Sequence, residues 1–251
     1  MNYQYKIIYI FLLYFIFDKK TDKNIRKSIN YYEKKILLGK YDNVHQVNKE
    51  PGYDYFLITN LNLKNETKNW TILHVDAKIH SKDKKETIKQ QRFIKTHPHL
   101  FFENYDLSIY VDATYEIKGK LDDFLLRILT PNFTIYLLEH PERNTIFNEF
   151  KEVVKIKKES RKIVNPIKNR YNSEKFPDNN GLAETCIIIR MHNKLNCINF
   201  MEQWYNEIQK NSHRDQLSFN YILWKTRDNI VKYKRIILYI DFQEFNNIII
   251  Y

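Results

Sequence analysis

Short apolar runs that close on polar residues constrain this chain more than any other feature. YDYFLITN (53–60), NWTILHVD (69–76) and LSIYVDA (107–113) are rich in β-branched and aromatic residues, and KKILLGKYDNV (34–44) is a shorter run closed by Gly39. A continuous run without alternation reads as a strand buried on both faces, as in a parallel sheet. Helical stretches lie between and after them. Residues 84–96 place Ile88, Arg92 and Lys95 about one turn apart, and 142–160 carry an Ile146, Phe150, Val153/Val154 stripe. Beyond Gly181, Cys186–Ile189 reads as a central strand. A helix over 197–209 follows, with Ile198, Met201, Trp204/Tyr205 and Ile208 inward. Another helix start (212–225) and a strand-like RIILYI (235–240) complete the pattern. This predicts one α/β domain with a mostly parallel central sheet and flanking helices. Ligands in such sheets sit at the C-terminal ends of the strands, which is where these runs turn polar.

Size and composition narrow the functions. The 251 residues are 43% hydrophobic and 15% aromatic, ample for a packed core. Only four glycines are present, and neither G-x-x-x-x-G-K-[ST] nor G-x-G-x-x-G occurs. The net charge of +11 suits a polyanion, a nucleotide phosphate or an anionic membrane. The densest basic stretch, 151–170, has no aromatic residue before Tyr171 on which a base could stack, so it reads as a solvated helix face and nucleic acid is not expected as a partner. Cys186 and Cys197 lack zinc spacing and read as two buried free thiols.

The N-terminus carries its own signal. Lys6 is followed by eleven apolar residues, 7–17, and then Asp18-Lys19-Lys20. That is short of the roughly 20 residues of a membrane span. It fits a signal anchor or an early buried segment. Residues 1–30 are therefore set apart as a hydrophobic segment and linker, and 31–251 as the main domain. An anchor implies membrane association through 7–17 and the secretory pathway, which the sequons at Asn65, Asn69 and Asn132 would suit; a buried segment implies the cytoplasm.

The order KYDN, YDYFLITN, WTILHV, RFIKTHPHLFF, YDLSIYVDA, EHPER, FPDNNGLAETCIIIRMHN and RDQLSFNYILWK resembles one glycosyltransferase-like family, over roughly 34–226. That family was first known as a domain of unknown function, and its plant members are tied to mucilage polysaccharide and, in one case, to a ceramidase. A wider resemblance is to glycosyltransferases of the GT-A type, implying a Rossmann-like fold. In that pattern a strand ends in D-x-D, an N-x-G strand follows, then a Trp-bearing helix and an Asp-Gln. The matching pieces here are Asp112, Asn180-Gly181 through Ile189, Trp204 and Asp215-Gln216. One position departs: Thr114 stands where the second acid of D-x-D is expected.

The resemblance implies a nucleotide-sugar donor, a glycan or lipid acceptor, and a divalent cation (Mn²⁺ or Mg²⁺) that Thr114 puts in question. On it, Asp112 and His192 are the metal candidates. Arg92 and Lys95, with Asp112, face the donor diphosphate, whose departing charge needs neutralising. Gly39, Tyr41, Asp42 and Thr59 hold the nucleoside. Asp215 and Glu184 are the catalytic candidates, one of them a base for the acceptor hydroxyl. Simpler readings stand beside these. Ser212-His213-Arg214-Asp215 fits a helix capping box. His140-Pro141-Glu142-Arg143 fits a helix start with Pro at its first position, with Arg143 free for phosphate. His97-Pro98-His99 is a histidine pair without a visible third ligand. Two other functions remain open: a metal-assisted hydrolase, and a non-catalytic nucleotide-sugar or glycan binder.

Overall fold

In a computed structural model, the structure describes residues 7–11, 47–59, 69–74, 84–112, 115–117, 120–121, 125, 134–226 and 249–250. Six strands form the main sheet: β1 (Ile7–Phe11), β2 (Tyr53–Thr59), β3 (Thr71–His74), β4 (Leu107–Val111), β6 (Ile135–Glu139) and β7 (Ala183–Arg190), in the order β3-β2-β1-β4-β7-β6. A second ladder pairs β5 (Glu116–Ile117) with β8 (Ile249–Ile250). The helices are α1 (Lys84–Thr96), α2 (Ile146–Lys155), α3 (Arg161–Ser173), α4 (Leu195–Lys210) and α5 (Phe219–Lys225), with short 3₁₀ turns at Pro98–Leu100 and Asp215–Leu217.

The α/β class is as expected, but the sheet is mixed. Strands β1, β2, β3 and β4 pair in parallel, whereas β7 runs antiparallel to both β4 and β6. Apolar runs carry no sign of strand direction, so the reversal of β7 is invisible in sequence. It decides which end of β7 reaches the ligand edge. Strand β6 is an element that the sequence reading omits, although Ile135–Leu138 has the same unbroken apolar character.

The backbone of Ile7–Phe11, first half of the apolar N-terminal segment, pairs in register with β2 on one side and β4 on the other. Among the described residues no helix is long and apolar enough to cross a membrane. Residues 12–17, the 34–44 run and RIILYI lie outside the described residues.

Every residue of β4 is buried, as its lack of alternation predicts. On α4 the buried positions are Cys197, Phe200, Met201, Trp204, Glu207 and Ile208, one residue round from the expected stripe at its start. Cys186 and Cys197 are both free and buried. Helix α2 begins later than the Pro141 reading predicts. Thr145 is its N-cap, its hydroxyl accepting from Asn148 N at 3.0 Å, and Pro141 lies in the bend before it. The lysines of 151–162 are exposed, the solvated face that the charge run implies.

Candidate active site

Strand β4 carries the chain out of the core at Asp112. Its side chain is 32% exposed, and its backbone N–H extends the ladder by donating to Cys186 O at 2.7 Å. Because β7 is antiparallel, Val111 faces Ile187, and the first residues of β7 reach the same edge. This brings Glu184 beside Asp112. At the step from Leu137 to Leu138 the register shifts, with the extra residues taken up by β7, and Leu138 comes to lie opposite Glu184. His140, just past β6, places Nε2 3.8 Å from Glu184 Oε2, and its Nδ1 accepts from the backbone N–H of Glu142 and Arg143. Burial raises the Glu184 carboxyl above its ordinary range. The Asp112 charge adds to that, while a hydrogen bond with Cys186 and the Lys95 charge oppose it.

Below this edge lies a buried chain of charges. Lys95 has no exposed side-chain surface. Its Nζ is 2.6 Å from Asp215 Oδ2, 3.8 Å from Asp112 Oδ1 and 4.5 Å from the centre of the Tyr110 ring. One turn earlier on α1, Arg92 Nη2 is 3.2 Å from Asp215 Oδ1, and its Nε donates to His213 O at 3.4 Å. Tyr110 donates its hydroxyl to Asp112 Oδ1. Burial alone would raise the Asp215 carboxyl, but Arg92 and Lys95 outweigh it and hold the pKa at about 2.

The capping-box reading of Asp215 does not hold. The 3₁₀ turn it opens has no side-chain cap, and its carboxylate is spent on Arg92 and Lys95. Ser212 Oγ accepts from Arg214 N and donates to Glu159 Oε2. Trp204 Nε1 donates to Asp215 O at 3.0 Å, so the Trp-bearing helix α4 holds this turn by its backbone. Two residues that sequence reasoning missed as positioning groups follow. Gln216 Nε2 donates to Ala183 O at 3.2 Å, and Asn220 Oδ1 accepts from Ala183 N at 2.8 Å. Asn220 Nδ2 also donates to Asn180 O, and Asn180 Nδ2 to Asn220 O. Gly181 between them has φ +75°, a conformation that glycine adopts without strain. Side chains following Asp215 thus hold both backbone groups of the residue before Glu184.

The structure brings Asp112, Glu184, Lys95, Arg92 and Asp215 together. Thr59 is buried at the end of β2, on the same edge. Gly39, Tyr41, Asp42 and Thr114 lie outside the described residues. His192 is not brought to Asp112. Arg190 pairs with Ser108 at the start of β4, about 13 Å of strand away from Asp112, and His192 lies two residues further on, beyond the opposite edge. There His192 Nε2 meets Phe102 O at 3.0 Å. His97 is likewise engaged elsewhere, Nε2 3.2 Å from Glu202 Oε1 and Nδ1 2.7 Å from Phe93 O. Arg143 is not free for phosphate: it pairs with Glu142 at 2.7 Å and Glu149 at 2.5 Å. No group of three His, Cys, Asp or Glu side chains that could hold a metal occurs among the described residues. With the Lys95 ammonium already beside Asp112, the described donor set does not fit a resident divalent cation.

A family model described as TOD1/MUCI70, glycosyltransferase-like domain, matches residues 58–250. No curated protein matches the chain. Among solved structures, the chain is similar to apo mouse xyloside xylosyltransferase 1, at 8% identity and TM-score 0.40, over 89% of this chain and 83% of that one. It is also similar to the apo WbbM bifunctional glycosyltransferase, at 13% identity and TM-score 0.38, over 86% of this chain and 36% of that one.

Proposed function

The chain belongs to the TOD1/MUCI70 family of glycosyltransferase-like domains, and from that premise we propose that it transfers a sugar from a nucleotide-sugar donor, on a GT-A-like scaffold, to a hydroxyl of a glycan, lipid or protein acceptor. The observation that supports this most is that Lys95 acts on two unlike carboxylates, Glu184 at the sheet edge and Asp215 in the turn below it. Glu184 is raised by burial, whereas Asp215 is held at about 2 by two cations. Environments that push two acids apart divide their roles. A carboxylate at about 2 takes no proton near neutrality, so Asp215 orders Arg92 and Lys95 and is not the base. Glu184, closer to the working pH, takes the proton of the acceptor hydroxyl. Asp112, oriented by Tyr110 and Lys95, accepts hydrogen bonds from donor hydroxyls. Arg92, partly open to solvent, and Lys95 offset the charge that develops on the departing diphosphate.

The test is titration with UDP- and GDP-sugars, with and without Mn²⁺, followed by donor hydrolysis and transfer. Glu184→Gln is expected to keep donor binding and lose roughly 10²–10⁴ in turnover. The wild-type rate should fall toward acid pH with an inflection above the ordinary carboxylate range, as Glu184 gains its proton. Asp112→Asn and Arg92→Ala are expected to weaken donor binding. Tight binding without turnover would leave a binding module instead, and no nucleotide binding at all would end both readings.

A further inference from the structure

We infer that the corner between α2 and α3, residues 151–162, is a peripheral contact with an anionic lipid surface. The sequence shows five lysines and arginines there besides Lys155, with two acids among them, Glu152 and Glu159. In sequence the acids temper the charge; in the structure they do not. Glu159 is turned into the protein. It is 6% exposed, accepts from Ser212 Oγ at 2.8 Å and sits 3.3 Å from His213 Nδ1. Glu152 is paired with Lys155 at 3.2 Å. Lys151, Lys157, Lys158, Arg161 and Lys162 are all exposed and have no acidic partner among the described residues.

The corner is one small surface. Lys157, Lys158 and Glu159 donate their backbone N–H groups back to Val154 and Val153, and Ser160 O starts α3 by accepting from Ile163 and Val164. At its tip stands Ile156, 44% exposed among the cations. That residue selects the partner. A polyanionic glycan or a nucleic acid gains nothing from an exposed isoleucine, and the corner has no aromatic ring to stack on a sugar or a base. An anionic bilayer gains twice, from headgroups that attract Lys and Arg and from an acyl boundary that accepts Ile156.

The test is sedimentation of the full chain with phosphatidylcholine vesicles, with and without phosphatidylserine. It is independent of any transfer reaction. Binding is expected only with phosphatidylserine, and it should weaken sharply from about 0.1 M to about 0.5 M salt. Lys157→Glu, Lys158→Glu and Arg161→Glu together should lower partitioning on the order of a hundredfold. Ile156→Ser should lower it about tenfold while leaving the salt dependence in place. A control of equal charge, Lys49→Glu with Lys175→Glu and Lys210→Glu, should change it by less than about threefold. All these positions are exposed, and circular dichroism checks that each variant folds. Equal binding to neutral vesicles, equal loss in the control, or heparin capture that is tighter than vesicle binding and indifferent to Ile156→Ser would each overturn the inference.

Discussion

Lys95 shows how much one side chain can carry. A fully buried ammonium costs several kcal/mol of lost hydration unless opposite charge surrounds it. Asp215 at 2.6 Å and Asp112 at 3.8 Å supply that charge, with the Tyr110 ring beneath. Lys95→Met is therefore expected to cost about 3–5 kcal/mol in urea unfolding, because it strips a partner from a buried carboxylate. The pair should also show in the pH dependence of stability. Asp215 is held at about 2 in the folded chain, below its ordinary 3.8. A depressed carboxylate stabilises above its unfolded value and loses that contribution as pH falls through the folded one. Stability should thus drop by roughly 2 kcal/mol between about pH 5 and pH 2 from this group, and Asp215→Asn should flatten that part of the curve. The adjacency of Arg92 and Lys95 on one helix face was legible in the sequence. Their partner was not, since Asp215 lies 120 residues from Lys95.

At the scale of elements, direction and termination matter most. Helices α2 and α3 each end with a lysine in the left-handed region, Lys157 at φ 58° and Lys175 at φ 61°. After each, the next residue donates back into the last turn, Lys158 N to Val153 O and Phe176 N to Tyr171 O. Glycine is the usual occupant of this position because a Cβ crowds the following carbonyl. Lys175→Gly should stabilise the chain by about 1 kcal/mol in thermal or urea unfolding, and Lys157→Gly by a similar amount. The N-terminal end of α2 behaves oppositely: Thr145→Ala removes the acceptor for Asn148 N and should cost about 1 kcal/mol. The runs at 53–60, 69–76 and 107–113 and the helices at 84–96 and 197–209 were readable from pattern, because burial on both faces or on one face leaves different periodicities. The start of α2 was misread, because Pro141 satisfies the rule for a first helical residue while the polar turn up to Thr145 decides where the helix begins.

The whole molecule assembles its candidate site from distant segments. Asn220 is fully buried and ties α5 to the entry of β7 through Ala183 N, Asn180 O and Asn180 Nδ2. Asn220→Ala leaves Ala183 N and Asn180 O without their side-chain partner, while Asn180 Nδ2 keeps the Asn220 carbonyl, and should cost about 2–4 kcal/mol. It should also speed hydrogen exchange at the Ala183 amide more than at Ile188, in the middle of β7. A uniform change across β7 would argue against a local latch. The sequence by itself determined the α/β class, most buried strands, the placement of Asp112 at a strand end and the family. Each rests on local periodicity or on an ordered string of motifs, which a chain displays without folding. Only the tertiary structure decided that β7 runs backwards, bringing Glu184 to Asp112 and carrying His192 to the far edge. It also decided that Asp215 serves two buried cations, not a helix cap, and that Glu159 turns inward from the α2–α3 corner, where Glu152 is paired with Lys155 and the other cations have no acidic partner among the described residues. The reason is the same in each case. Strand direction and charge pairing are settled by long-range packing, and an unbroken apolar run or an isolated acid looks identical whichever neighbour it finally meets.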